Sequence, residues 1–99
     1  MIHVIAVLTA QPGQRAALLA AFHENLAAVR AEEGCIEYSL ALPAADSPAS
    51  FGEDAVVVVE KWASPAALAA HAAAPHMKEF GARTRDLVAS RAIHVLSPA

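Results

Sequence analysis

The stretch Ala55–Trp62, with the sequence AVVVVEKW, decides the fold that this chain predicts. Its β-branched residues favour a strand, and the run from Val56 to Val59 leaves both faces of that strand apolar. A strand with two apolar faces is typical of the inside of a sheet, where it has a neighbour on each side. We therefore expect Ala55–Trp62 to be a central strand.

Three further strands are predicted around it. Ile2 to Ala10 is β-branched and apolar and ends at the turn Gln11-Pro12-Gly13. Ile36 to Leu42 alternates between apolar and polar residues, which indicates a strand with one buried face, at an edge of the sheet. Ala92 to Leu96 closes the chain as a fourth strand.

The first helix is predicted from Gln14 to Glu33, where apolar residues recur at helical spacing. Gly34 is a suitable residue to end it, because glycine adopts the left-handed conformation that follows many helices. Glu32 and Glu33 would then lie in the last turn, where negative charge opposes the helix dipole. The sequence leaves the end of this helix open.

A second helix begins at Ser64-Pro65, which supply an N-cap and a first-turn proline, and Pro75 interrupts it. The helical pattern then resumes with Met77, Phe80, Thr84, Leu87 and Val88. The complete order is β-α-β-β-α-β with a broken second helix, which is the α+β ferredoxin-like fold, one antiparallel sheet with helices on one face. The length of 99 residues fits a single domain over residues 1–99.

Because helices cover one face of such a sheet, apolar residues on its other face would meet water in a monomer. Those residues are either Ile5, Val7, Val57 and Val59 or the alternate set Val4, Leu8, Val56 and Val58. An exposed apolar patch of several hundred Å² commonly marks an interface. The loop from Pro43 to Asp54 is too short and polar to cover this patch alone. We therefore expect a homodimer in which two sheets pack face to face.

Charge and hydropathy exclude several partners. The net charge of −3 comes without a cluster of Lys and Arg, so neither nucleic acid nor an anionic membrane surface is expected as a partner. No apolar run approaches the roughly 20 residues that span a bilayer, and the first ten residues do not resemble a signal peptide. We therefore expect a cytoplasmic protein. The single cysteine, Cys35, forms no internal disulfide.

The common catalytic motifs are absent, including glycine-rich phosphate loops, Cys-x-x-Cys, His-Glu-x-x-His and Gly-x-Ser-x-Gly. Glu60 and Trp62 share one face of the third strand and are candidates to line a pocket. The alternative places Trp62 in the core and Glu60 at a solvated strand end. His71 and His76 are candidate bases or ligand contacts because imidazole titrates near neutral pH. They predict no metal site, because Pro75 separates them and no third ligand is evident.

Five segments, spread over nearly the whole chain, resemble in order and spacing the antibiotic biosynthesis monooxygenase family, and within it the quinol monooxygenases. They are Glu32-Glu33-Gly34-Cys35 with Tyr38, Glu60-Lys61-Trp62-Ala63-Ser64, His71 with Pro75-His76-Met77-Lys78, Pro12-Gly13-Gln14 and Leu96-Ser97-Pro98. The resemblance implies a dimeric α/β barrel that oxidises a quinol or similar small aromatic with O₂ as co-substrate and with no metal or flavin cofactor. It implies His71 as the base or hydrogen-bond partner, Trp62, Phe22 and Tyr38 as the cavity lining, and Glu60 or His76 as the residue that orients a hydroxyl.

One related activity is disfavoured, and two alternatives stay open beside this resemblance. A haem-degrading branch of the superfamily has other residues where this chain has Ala6, His71 and Gly81, which argues against haem. A sugar-phosphate isomerase of similar pattern would need cationic phosphate contacts, for which the candidates are Lys61, Lys78, Arg83 and Arg85. A non-catalytic small-molecule-binding or stress-response module is the second open alternative, since a fold does not fix a function.

Overall fold

The computed structural model describes residues 1–99 as four strands and three helices. The strands are β1 (Ile2–Ala10), β2 (Cys35–Ala41), β3 (Ala55–Trp62) and β4 (Val88–Leu96). The helices are α1 (Arg15–Arg30), α2 (Pro65–Ala73) and α3 (Pro75–Thr84). The predicted order is confirmed, and Pro75 is the first residue of α3 because a proline at that position loses no hydrogen bond within the helix.

All four strands pair antiparallel in the order β2-β3-β1-β4. The two strands that are apolar on both faces, β1 and β3, therefore lie at the centre, and β2 lies at an edge as its alternating pattern predicts. Their register places Ile5 opposite Val59 and Val7 opposite Val57. The α+β ferredoxin-like fold expected from the sequence is thus confirmed.

The helices cover the sheet face that carries Val4, Val56 and Val58, which join Leu18 and Phe22 of α1 in one buried cluster. This decides between the two sets of residues that the sequence left open. Ile5, Val7, Val57 and Val59 are on the opposite face, where no helix packs. The helix face is also the face toward which Glu60 and Trp62 project.

The predicted end of the first helix was three residues too late. α1 ends at Arg30, and the chain leaves it through a turn in which the Glu32 amide donates to the Val29 carbonyl over 3.0 Å. Gly34 has a φ of +84° and its carbonyl accepts from the Ala63 amide over 2.8 Å. Gly34 therefore shapes the entry into β2 instead of capping the helix, and Glu32 lies outside the helix.

The predicted continuation of the last helix through Leu87 and Val88 was wrong. α3 ends at Thr84, whose carbonyl accepts from the Leu87 amide over 2.9 Å in a turn. The Leu87 carbonyl accepts from the Gln11 amide, and Val88 pairs with Ala10 of β1. Pairing with a central strand outweighs the helical spacing of these two apolar residues, and β4 begins four residues before the predicted Ala92.

The edge strand β4 is the least covered part of the sheet. Ile93 and Val95, which lie opposite Ala6 and Val4 on the helix face, remain 59% and 55% exposed. The helices thus reach only as far as β1, and the space beneath them is open on the β4 side. No helix in the structure combines the length and the apolar character that crossing a bilayer requires.

Candidate active site

A cavity of about 120 Å³ lies between the helix face of the sheet and the three helices. Eight of its thirteen lining residues are hydrophobic. The lining consists of Ala6, Leu8, Phe22, Tyr38, Val58, Glu60, His71, Met77, Phe80, Gly81, Thr84, Arg91 and Ile93. A site that is mostly apolar with a few polar groups is typical of a pocket for a small organic molecule.

Four of the six residues singled out from the sequence, Phe22, Tyr38, Glu60 and His71, meet at this cavity. The other two are displaced from it. Trp62 is fully buried behind His71, with their ring centroids 4.6 Å apart, and His76 points instead toward Glu32. The structure therefore brings the predicted residues into one neighbourhood but assigns only four of them to the cavity wall.

Glu60 and Trp62 interact directly with one another. The Trp62 indole N–H donates to Glu60 Oε1 over 2.9 Å, and Glu60 is only 5% exposed. Trp62 is a core residue, as the alternative interpretation expects, but Glu60 is not at a solvated strand end. Burial raises the pKa of the Glu60 carboxyl, while the hydrogen bond from Trp62 and the nearby His71 partly offset that rise.

His71 of α2 is buried and lies between two aromatic rings. Its ring centroid is 4.6 Å from that of Trp62 and 5.7 Å from that of Tyr38. Its Nδ1 is 2.8 Å from Glu32 Oε2, whereas its Nε2 has no hydrogen-bond partner. Every side-chain nitrogen or oxygen that is fully enclosed in the protein has a hydrogen-bond partner. Nε2 has none, so it is not fully enclosed but reaches free space, and His71 is one of the residues that line the cavity. One ring nitrogen of the imidazole is thus anchored, and the other is available to a ligand.

Sequence reasoning gave Glu32 no role in the site. Its Oε2 is 2.8 Å from His71 Nδ1 and also 2.8 Å from His76 Nε2, and its side chain is only 12% exposed. We refer to these two contacts as the Glu32 bridge. Two observations in the sequence could have drawn attention to Glu32: it belongs to one of the segments that resemble the family, and its negative charge is unfavourable in the last turn of a helix. No group of three or more His, Cys, Asp and Glu side chains in the structure is arranged to hold a metal ion.

Tyr38 of β2 brings a phenol to the cavity. Burial raises its pKa well above the usual range, and the carboxylates of Glu60 and Glu32 add to the rise. The phenol therefore stays protonated and can act as a neutral hydrogen-bond donor. The Tyr38 carbonyl accepts from Arg30 Nε and Nη2 over 3.1 and 2.9 Å, which fixes β2 against the end of α1.

The wall opposite the sheet is formed where α1 meets α3. Phe22 and Phe80 have ring centroids 4.7 Å apart, and the Asn25 amide lies 3.3 Å from the Met77 sulfur. Sequence reasoning placed Phe80 and Met77 in a helix without assigning them to a site. The position of a helix over a sheet depends on tertiary packing, so the helical spacing alone contained no signal for this wall.

The basic residues expected for a phosphate-binding isomerase are not at the cavity. Lys61 lies 3.4 Å from Glu37, and Arg83 lies 2.9 Å from Glu24 at the surface. None of the four candidates is among the lining residues. Arg91 of β4 is the basic residue that lines the cavity, and the sequence gave no sign of it because β4 was predicted to begin after it.

Comparison with known proteins gives a consistent family. Residues 1–83 match the family described as antibiotic biosynthesis monooxygenase. The chain is 36% identical over 105 aligned positions to the Escherichia coli K12 protein named probable quinol monooxygenase YgiN, covering 99% of this chain and 98% of that protein.

Solved structures share the fold of this chain over nearly its whole length. Rv0793 of Mycobacterium tuberculosis superposes with a TM-score of 0.83 at 31% identity, covering 99% of this chain and 94% of that one. PA3566 of Pseudomonas aeruginosa superposes with a TM-score of 0.83 at 28% identity, covering 99% and 93%. The match over residues 1–83 and the 36% identical relative show that the chain belongs to the antibiotic biosynthesis monooxygenase family.

Proposed function

We propose that this protein is a monooxygenase that oxidises a quinol, or another electron-rich aromatic small molecule, with O₂ and without a metal or flavin cofactor. The observation that carries the proposal is the position of His71, whose Nδ1 is anchored on Glu32 while its Nε2 is free at an apolar cavity. The similarity to a protein named as a quinol monooxygenase supports the substrate class.

The chemistry needs a base and few other protein groups. His71 Nε2 accepts a hydroxyl proton from the substrate, and the resulting quinolate is a much better electron donor to O₂ than the neutral quinol. One oxygen atom of O₂ is retained in the product and the other leaves as water. The substrate supplies all four electrons for this reduction of O₂, so no external reductant is required.

The cavity wall suits this reaction. Tyr38 can donate a hydrogen bond to a substrate oxygen, and Phe22 and Phe80 offer apolar ring surface. Between the two candidates for orienting a second hydroxyl, Glu60 is favoured because it lines the cavity while His76 contacts Glu32. An apolar lining also limits the water that competes for the deprotonated substrate.

The second part of the proposal is a homodimer formed through the uncovered sheet face. Ile5, Val7 and Val59 lie there side by side on the two central strands, and no helix packs over them. In the isolated chain they are half-buried. A second copy packed sheet to sheet would remove them from water, as the dimeric barrel implied by the family resemblance requires.

The test is oxygen consumption with a chemically reduced naphthoquinone in buffer treated to remove metals. We expect substrate-dependent O₂ uptake above the uncatalysed rate, and a loss of about 100-fold in kcat for His71→Ala, since general base catalysis typically contributes at least that factor. His23→Ala is the matched control, because His23 is an exposed histidine of α1. Uptake that His71→Ala leaves unchanged would contradict the proposal, and conversion of a phosphorylated ketose without oxygen would replace it with the isomerase.

A further inference from the structure

We propose that Glu32 is the positioning residue of this site, holding the His71 ring in the one neutral tautomer that presents a proton acceptor to the cavity. The inference rests on the proposed role of His71 as the base. It concerns a residue that does not itself line the cavity, and it assigns the Glu32 bridge a function in setting the protonation pattern of the ring.

The hydrogen-bond geometry determines the tautomer. A carboxylate oxygen can only accept, so the 2.8 Å contact of Glu32 Oε2 requires a proton on His71 Nδ1. In a neutral imidazole the other nitrogen then has a lone pair and no proton. That nitrogen is Nε2, which has no partner within the protein. By the same reasoning the contact to His76 requires a proton on His76 Nε2.

The backbone holds Glu32 rigidly enough for this role. Its amide donates to the Val29 carbonyl over 3.0 Å, and its own carbonyl accepts from the Cys35 amide over 3.2 Å. The residue is therefore fixed from the end of α1 and from the start of β2. A rigid acceptor beside a buried ring defines the orientation of that ring more precisely than a mobile surface carboxylate does.

The bridge also joins the two helices α2 and α3, between which the helical backbone is interrupted. His71 lies in the last turn of α2 and His76 in the first turn of α3, with Pro75 between them. One carboxylate oxygen contacts both histidines, so it links the last turn of α2 to the first turn of α3. Met77, Phe80 and Gly81 follow on α3 and line the cavity, so the bridge lies beside the α3 wall of the site.

The other groups that face His71 do not replace Glu32. Trp62 and Tyr38 lie against the ring as aromatic neighbours, and His76 reaches Glu32 from the far side. Glu60 is the second nearby acid, but it is buried and directs one oxygen to Trp62. Glu32 is thus the carboxylate in direct contact with the imidazole, where it can stabilise the imidazolium that forms when Nε2 takes up a proton.

The test measures the tautomer of His71 and the kinetic constants of the enzyme in separate experiments. Side-chain nitrogen NMR of histidine-labelled protein should show His71 with a proton on Nδ1 in the wild type. Glu32→Ala removes the acceptor, and we expect the proton to move to Nε2. Glu32→Gln retains the size and an acceptor oxygen but not the charge, and we expect kcat to fall about 100-fold with KM changed less than about threefold, because Glu32 does not line the cavity.

Glu33→Gln is the matched control, since Glu33 is the exposed neighbouring acid and its side chain forms no hydrogen bond or ion pair. Glu32→Asp, which keeps the charge, should recover part of the activity lost in Glu32→Gln. A wild-type His71 protonated on Nε2, or a Glu32→Gln variant as active as Glu33→Gln, would overturn the inference. The NMR measurement needs no substrate, so an absence of quinol oxidation would refute the proposed function while leaving the tautomer result to decide the role of Glu32.

Discussion

The Trp62 indole N–H donates to Glu60 Oε1 over 2.9 Å, and both side chains project from β3 into the core beneath the helices. Residues two apart on a strand share one face, so this contact follows from the spacing of the pair. The hydrogen bond holds the Glu60 carboxyl in the buried core, where burial disfavours its charged form. Two consequences for stability can be measured.

Glu60→Gln should make the folded protein less sensitive to rising pH. Burial raises the folded-state pKa of Glu60 above its ordinary value of 4.5, so well below pH 4.5 the carboxyl is protonated in both states and carries no penalty. As the pH rises through the folded-state pKa, the unfolded state ionises more readily and the free energy of unfolding falls. Each pKa unit of difference corresponds to about 1.4 kcal/mol.

The measurement is urea denaturation at several pH values from about 4 to about 8, the range in which a raised carboxyl pKa acts. The Gln variant keeps an oxygen that can accept from Trp62 but has no charge to bury. The free energy of unfolding of the variant should therefore fall less than that of the wild type over this pH range. Glu53→Gln is the control, because Glu53 is exposed to water. Parallel curves for the wild type and Glu60→Gln would contradict the prediction.

Trp62→Phe should have the opposite effect on the same curve. The substitution removes the donor to Glu60 Oε1 and leaves a buried acceptor unpaired, which costs about 1–3 kcal/mol in addition to the lost packing volume. The hydrogen bond from Trp62 lowers the pKa of Glu60, so its loss should raise that pKa further and steepen the loss of stability with pH. If stability drops equally at every pH, packing alone accounts for the change.

The sheet could be predicted because its signals are local. The two apolar strands, the alternation of β2 and the proline between the last two helices each follow from neighbouring residues. The boundaries failed where a distant partner decided them. Val88 belongs to a strand because it pairs with Ala10, and Gly34 is held at the start of β2 by the Ala63 amide instead of capping α1.

The site was predictable only in part for the same reason. Residue type drew attention to His71 and Glu60, and the family resemblance added Tyr38; all three meet at the cavity. Glu32 is separated from His71 by 39 positions, and no local pattern around Glu32 indicates that contact. Arg91 was missed because its place at the cavity depends on the pairing of β4 with β1, where it lies opposite Leu8.

Gly34→Ala should destabilise the protein while Gly81→Ala should stabilise it. At Gly34 the backbone has a φ of +84°, and an added Cβ would lie 2.6 Å from the Cβ of Ala67 on α2. The left-handed conformation alone costs an alanine roughly 1–2 kcal/mol, and the contact adds to this cost. Gly81 lies inside α3 with nothing within 4 Å of an added Cβ, so alanine there gains up to about 1 kcal/mol of helix propensity. Thermal and urea denaturation of both variants measures the two signs, and equal effects would contradict the argument.

Val7→Lys should convert the proposed dimer into a monomer. Val7 lies on the central strand β1, opposite Val57 and Ala92, on the face that no helix covers. When two sheets pack face to face, this position lies in the middle of a dry interface, and an ammonium without a partner there costs several kcal/mol. In a monomer the same lysine extends into water, so the fold itself should tolerate it.

Sedimentation at micromolar concentration distinguishes these states, with Ala17→Lys as the control because Ala17 is exposed on α1, away from the uncovered sheet face. We expect dimers for the wild type and for Ala17→Lys and monomers for Val7→Lys. A monomeric wild type would remove the dimer, because Ile5, Val7 and Val59 would then be stable without a second sheet over them. Loss of helix content in Val7→Lys at every concentration would instead show that the uncovered face is required for the fold of each subunit.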